Sequence, residues 1–100
     1  MKGTLRKLPN GLNSYDICGA DENYMFRVAD IIGKQYNFRI AGAPFIGLDG
    51  VYWEFTKGGV EITVGCDIWS GVFVQANCQD GNEYIIEFAR HFDNLFQGSD

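Results

Sequence analysis

Hydrophobic and polar residues alternate through the middle of the chain. Three stretches carry this pattern: "VYWEFT" (51–56), "VEITVGCDI" (60–68) and "VFVQANC" (72–78). A period of two is typical of antiparallel strands that have one covered face. A fourth strand is predicted in "YNFRIAGAP". The stretch "SYDICG" could form one extra N-terminal strand. The glycine-rich "GAPFIGLDG" predicts turns.

Two segments have the period of a helix instead. In "ADENYMFRVADIIGKQY", Asp21 is a favourable N-cap residue and Gly33 is expected near the end. The apolar stripe of this helix is Met25, Val28, Ala29 and Ile32. In the C-terminal segment, Asp80 and Glu83 have the spacing of a capping box, with Asp80 as the N-cap. The apolar stripe there is Ile85, Ile86, Ala89, Phe92 and Phe96.

These elements predict an α+β fold in the order α-β-β-β-β-α, with the extra N-terminal strand left open. The expected architecture is an antiparallel sheet of four to five strands with two helices packed on one face. Two layers bury every apolar stripe, because each helix and the sheet have one apolar side. A chain of 100 residues corresponds to a single domain, residues 1–100, with one modest core.

Turn residues determine the expected register of the first central hairpin. Gly58 and Gly59 form a two-residue turn, which pairs Lys57 with Val60. Every apolar residue of one strand then lies opposite an apolar residue of the other, so the turn and the burial pattern agree.

For the next hairpin, a three-residue loop at 69–71 keeps the apolar face intact. The expected pairs are Ile68 with Val72, Cys66 with Val74, Val64 with Ala76 and Ile62 with Cys78. On the uncovered side Asp67 then lies opposite Phe73. Trp69, as the first loop residue, is expected at the exposed tip.

The uncovered side of the sheet is expected to be an open surface that combines carboxylates with aromatic rings. Tyrosine and tryptophan are common anchors of protein interfaces. The predicted partner-binding residues are Trp69, Asp67, Phe73, Tyr52, Glu54, Glu61 and Gln75. The competing interpretation is ordinary packing, in which Tyr52 covers the bare backbone of Gly65 and the N-terminal segment covers Phe73.

The charge pattern narrows the class of partner. The formal net charge is −5, and residues 41–100 carry two basic and nine acidic residues. Such a chain repels phosphates, so we expect no direct binding of nucleic acid and no binding to a membrane. It attracts a basic protein, although acidity also serves solubility alone.

No residue set points to catalysis. His91 is the single histidine, and one histidine cannot form a metal cluster. Cys18, Cys66 and Cys78 contain no CxxC pair and are interpreted as small core hydrophobes without disulfides. No glycine motif for phosphate binding occurs. We therefore expect no enzymatic activity, no cofactor and no metal.

The sequence also predicts a cytoplasmic protein. No apolar run approaches the roughly 18–20 residues of a membrane-spanning helix. The basic N-terminus is not followed by the apolar region of about 7–15 residues that a signal peptide needs.

The stretch "DIWSGVFVQANCQDGNEYIIEFARHFDNLF" (67–96) combines a W-S-G turn, a D-G cap and a final helix with F-A-x-x-F spacing. With the size and charge of the chain, it resembles the immunity proteins of bacterial contact-dependent growth inhibition and related polymorphic toxin systems. The resemblance implies a monomer that forms a heterodimer with a toxin domain, often a nuclease, and inhibits it.

Under that resemblance, the carboxylates of the open face pair with toxin lysines or arginines, and its aromatic residues are the buried anchors. The acidic side of the last helix, with Glu83 and Glu87, is the competing surface. Two other classes stay open: a small non-catalytic adaptor or self-associating subunit that uses the open sheet face, and a minor enzyme with a pocket near His91 or a cysteine.

Overall fold

The protein consists of an antiparallel sheet and two helices, and the computed structural model describes its residues 3–69 and 71–97. The strands are β1 (Thr4–Lys7), β2 (Asn13–Ile17), β3 (Arg39–Ile40), β4 (Phe45–Ile46), β5 (Gly50–Lys57), β6 (Val60–Asp67) and β7 (Gly71–Ala76). The helices are α1 (Glu22–Gln35) and α2 (Asn82–Gln97), and a 3₁₀ turn (Gln79–Gly81) precedes α2.

Within the described residues the sheet has seven strands, in the order β1-β2-β7-β6-β5-β3, and β4 also pairs with β5. The α+β class is confirmed, but the expected four to five strands are too few. The two strands that the sequence did not predict are β1 and β4. All four residues of β1 are exposed, so β1 has no apolar alternation. β4 has only two residues and lies in the glycine-rich segment predicted as turns.

Both helices pack on the same face of the sheet. Trp53, Val64, Val74 and Tyr15 form one rung across β5, β6, β7 and β2. At one end of this rung Trp53 packs against Phe26 of α1, with 5.6 Å between ring centroids. At the other end Tyr15 packs against Phe92 of α2. The core therefore lies between this inner face and the two helices.

Helix α1 begins as its sequence predicts. The carboxylate of Asp21, the N-cap residue, accepts hydrogen bonds from the backbone N–H groups of Asn23 (3.0 Å) and Tyr24 (3.4 Å). The four predicted stripe residues, Met25, Val28, Ala29 and Ile32, are all buried. Gly33 lies inside the helix, which continues to Gln35.

Helix α2 begins differently from its prediction. Asp80 lies within the 3₁₀ turn and is not the N-cap, since α2 begins at Asn82. The Asn82 side chain instead accepts from the N–H of Asn13 (2.8 Å), which ties the start of α2 to β2. Ile86 is 40% exposed, so its assignment to the stripe is wrong, and Phe88 is fully buried in its place. The side chain of Phe96 lies outside the described part of the chain.

The register of the central hairpin β5–β6 is confirmed. Lys57 lies opposite Val60, and the apolar residues Phe55, Trp53 and Val51 lie opposite Ile62, Val64 and Cys66, which are apolar as predicted. The turn glycines have φ angles of 53° and 88°, as this turn requires.

The predicted register of β6–β7 is wrong by two residues. Cys66 lies opposite Val72, and Asp67 lies opposite Gly71 rather than Phe73. A shift of two residues leaves every side chain on its original face, so the burial pattern could not distinguish the two pairings. Gly71 is the first residue of β7, with φ 75°, and Ser70 lies outside the described residues.

The β5 edge of the sheet is covered in two pieces. β3 pairs with β5 at Thr56 and Phe55, and β4 pairs with the same side of β5 at Tyr52 and Val51. Between the two pieces the N–H of Ala41 donates to the carbonyl of Glu54 (2.8 Å). The edge therefore consists of two strands of two residues each.

A partly buried hydrogen bond joins β2 to α2. Tyr15 is 1% exposed, and its hydroxyl donates to the carboxylate of Asp93, which also accepts from the N–H of Gly3 (3.2 Å). Burial first, and the contact with Asp93 second, raise the pKa of Tyr15 above its usual value.

We expect Tyr15→Phe to lower the free energy of unfolding by about 1–2 kcal/mol, because it removes the hydroxyl that donates to Asp93. The folded pKa lies above the unfolded value of about 10, so the contribution of the hydroxyl is present below that pH and is lost as the pH rises through the folded pKa. Urea denaturation across this range, with Tyr84→Phe as the control, measures both effects. A deficit of Tyr15→Phe that does not shrink at alkaline pH would contradict this interpretation.

Candidate protein-interaction surface

Side chains that point away from the helices line up in rungs on the other side of the sheet, the outer face. Starting beside the β6–β7 loop, its central rungs are Gly50–Asp67–Gly71, Tyr52–Gly65–Phe73, Glu54–Thr63–Gln75 and Thr56–Glu61. Six of the seven predicted partner-binding residues therefore share this face. The seventh, Trp69, lies in the loop at its end.

An aromatic row crosses the outer face at Gly65. The rings of Tyr52 and Phe73 lie 6.0 Å apart between centroids. A Cβ at Gly65 would lie 2.5 Å from Phe73 and 2.8 Å from Tyr52, so only a glycine leaves room for both rings. Phe45 extends the row by stacking on Tyr52 at 5.9 Å. Tyr52 thus covers the backbone of Gly65, as the packing interpretation expected, and Phe73 covers it as well. The N-terminal strand β2 lies beside Phe73 through Asp16, but both rings remain partly exposed.

The carboxylates of this face have different surroundings. Glu54 accepts hydrogen bonds from the hydroxyl of Thr63 (3.0 Å) and from the side-chain amide of Asn77 (2.9 Å). These bonds hold the Glu54 carboxylate in one orientation on the surface. Glu61 is exposed beside Thr56 on the neighbouring strand.

The outer face is less uniformly acidic than expected, because β1 and β2 add residues to it. Arg6 of β1 forms an ion pair with Asp16 of β2. These two residues line a depression of about 140 Å³ together with Asp67, Phe73 and Gln75. Three of the predicted residues therefore border one shallow site that also contains a basic side chain.

Trp69 is 69% exposed in the loop between Asp67 and Gly71. Its N–H donates to the Asp67 carboxylate (3.0 Å), which orients the loop. The neighbouring N–H of Ile68 donates to the carbonyl of Asp49 (3.0 Å), so this loop lies beside the β4–β5 loop. Trp69 is the second residue of the connection rather than the first.

The two neighbouring loops expose a group of large apolar side chains, here called the apolar end. Its members are Phe45, Ile46, Leu48, Ile68 and Trp69, and each is at least 66% exposed. The sequence predicts only Trp69 of these five, because it predicts turns around Phe45 and places Ile68 on the covered face opposite Val72. The second placement is wrong, since Ile68 is 71% exposed. The available signal was the presence of three large apolar residues, Phe45, Ile46 and Leu48, in a segment for which the sequence predicts no burial.

The histidine considered for chemistry lies on the helix side of the sheet. His91 lies on α2, with its Nδ1 3.2 Å from the hydroxyl of Tyr36 and its ring against Phe92. The three cysteines are free, and Cys18 is exposed, so its assignment to the core is wrong. Among the described residues, no group of three or more His, Cys, Asp or Glu side chains could hold a metal ion.

Comparison of the chain with family models, with curated proteins and with solved structures gives no match. None of the helices in the described part of the chain has the length and apolar character needed to cross a membrane.

Proposed function

We propose that the protein is a cytoplasmic, non-catalytic immunity protein that binds a cognate toxin domain, a basic nuclease, and inhibits it. The observation that supports this function best is the apolar end beside the aromatic row. Large apolar patches that stay exposed on a folded protein mark interaction sites. Here backbone hydrogen bonds fix the two loops beneath these side chains, from the N–H of Gly47 to the carbonyl of Gly50 and from the N–H of Ile68 to the carbonyl of Asp49. Less backbone ordering is therefore needed on binding.

Charge supports a basic partner. A nuclease needs basic residues to hold its substrate, and an inhibitor with net charge −5 attracts such a surface over a distance. Glu54, Glu61 and Asp67 then pair with toxin lysines or arginines. Trp69, Tyr52, Phe73 and Gln75 supply the contacts that exclude water around those pairs.

The acidic side of α2 is the weaker candidate surface. Glu83 and Glu87 are exposed there, but the exposed apolar residues of this helix, Ile86 and Leu95, are each only 40% exposed. The apolar end therefore offers more area for a partner to cover.

Self-association is the second candidate function, since an adaptor subunit would also cover an exposed apolar surface. Leu48 is 103% exposed, so it is the side chain that a second copy of the chain would be expected to cover. Size-exclusion chromatography with light scattering distinguishes the two. A mass near 11.2 kDa across the accessible concentrations supports the immunity function, and a concentration-dependent dimer supports the adaptor.

The decisive experiment joins genetics with kinetics. A neighbouring reading frame for a large secreted protein with a variable C-terminus supplies the toxin domain. Co-expression of the immunity protein with that toxin domain should rescue the growth of the cells that produce the toxin. We expect the association rate constant of the purified pair to fall about tenfold between roughly 0.05 and 0.5 M salt, because screening weakens electrostatic steering. Absence of such a frame, together with no binding to basic nuclease domains, would refute the function, and salt-independent association would remove its electrostatic part.

A further inference from the structure

A cleft of about 660 Å³ opens on the helix side of the apolar end. One wall consists of the two residues before α1 and its first two residues (20–23). The others are the stretch from the end of β4 to the start of β5 (46–51) and the end of β6 with the following loop residue (66–68). It therefore lies beside the outer face but is not part of it. No residue of this cleft except Asp67 was among the predicted partner-binding residues.

The cleft is negatively charged. Asp21, Glu22, Asp49 and Asp67 contribute four carboxylates to its lining, and no lysine or arginine is among its lining residues. Two of the four have local roles, since Asp21 caps α1 and Asp67 accepts from the N–H of Trp69. Glu22 and Asp49 are exposed and form no ion pair with any other residue in 3–69 or 71–97.

The thiol of Cys66 lies on the lining of the same cleft and responds to this charge. Burial raises the pKa of Cys66, and the carboxylates of Glu22, Asp67 and Asp21 raise it further. Negative fields from two walls therefore act on one point of the lining. An added anion is disfavoured there, and an added cation is favoured.

The rim of the cleft is apolar. Ile46, Leu48 and Ile68 line it and also belong to the apolar end. A phosphate-bearing ligand is repelled by the carboxylates, and a simple cation gains nothing from the apolar rim. A protein segment that carries large apolar side chains next to a basic side chain complements both the negatively charged cleft and its apolar rim.

We propose that the cleft and the apolar end together bind a segment of the toxin domain in which a lysine or arginine lies close to large apolar side chains. The basic side chain enters the cleft between Glu22 and Asp49, and the apolar side chains cover Ile46, Leu48 and Ile68. This inference rests on the proposed function for the identity of the partner. It adds a site for the toxin that the outer face does not contain.

A pair of charge-matched variants tests the placement. Glu22→Gln/Asp49→Asn removes two negative charges from the cleft, and Glu83→Gln/Glu87→Gln removes two from α2. Both change the net charge equally, so they weaken long-range steering equally. We expect the cleft variant to weaken toxin binding at least tenfold, mainly through faster dissociation, and the α2 variant to change it less than threefold. Thermal unfolding of both verifies that they fold.

Alkylation of Cys66 gives a readout of occupancy that does not depend on those charges. In a Cys18→Ser/Cys78→Ser background, iodoacetamide should modify Cys66 at least tenfold more slowly in the toxin complex than in the free protein. Equal loss of affinity in the two charge variants, or an unchanged alkylation rate, would overturn the cleft proposal while toxin binding itself preserves the proposed function. A wild-type protein that binds no toxin would overturn both. Protection of Cys66 without toxin, with a dimer mass in light scattering, would assign the cleft to a second copy of the chain.

Discussion

Gly71→Ala is expected to lower the free energy of unfolding by about 3 kcal/mol. Gly71 has φ 75°, where a residue with a side chain loses roughly 1–2 kcal/mol. A Cβ at this position would also lie 2.5 Å from the carbonyl oxygen of Ile17 and 2.8 Å from the N of Gly19. Both are backbone atoms that cannot rotate away, so the β2–α1 loop must move. Urea denaturation at neutral pH measures the loss.

Gly59→Ala is the matched control for that prediction. Gly59 has φ 88°, but a Cβ there would have no atom within 4 Å. We expect a loss of about 1 kcal/mol, which is the backbone part alone. Equal losses for the two variants would contradict the role of the contact between Gly71 and the β2–α1 loop.

Trp69→Ala is expected to weaken toxin binding by about 2 kcal/mol or more, which is roughly 30-fold in Kd, because large aromatic anchors contribute most to such interfaces. The free energy of unfolding should stay nearly unchanged, since the side chain is 69% exposed. Isothermal titration with the toxin domain measures the first quantity and urea denaturation the second.

Leu95→Ala is the control for Trp69→Ala, because it removes a partly exposed apolar residue from α2, away from the apolar end. We expect it to leave Kd within about threefold of the wild type. An unchanged Kd for Trp69→Ala would exclude this residue from the interface. A large loss of stability would place it in the core.

Local pattern was enough to predict the central hairpin and the first helix. The turn glycines at 58–59 and the alternation in β5 and β6 agree on one pairing, and the structure has that pairing. In α1 the N-cap and the apolar stripe lie within a few residues of each other, so nearby sequence contains the information.

Long-range contacts decided the features that were predicted wrongly. The β6–β7 register depends on Gly71 fitting against the β2–α1 loop and on Phe73 covering Gly65, and neither contact has a local signal. Asp80 is not the N-cap of α2, because a 3₁₀ turn comes first and Asn82 binds β2 instead. β1 has no alternation of apolar and polar residues to detect, since it is an edge strand whose four residues are all exposed.

The candidate surface was predicted only in part, because part of it follows from local alternation and part from long-range contacts. Period-two alternation placed Tyr52, Glu54 and Gln75 on one face whatever the exact register, because a shift by two residues preserves the face. Phe45, Leu48 and the acidic cleft depend on how the β4–β5 loop lies against its neighbours. A pattern of residues along the chain does not contain that arrangement.

The two-piece edge formed by β3 and β4 has a consequence for aggregation. A long, straight edge strand is a template on which a second chain adds and a fibril grows. Each piece here offers only two residues, and the chain between Ile40 and Phe45 interrupts the line. A growing fibril would lose its ladder at that interruption. The protein can therefore keep a large apolar surface exposed near this edge without the edge itself serving as a seed for amyloid.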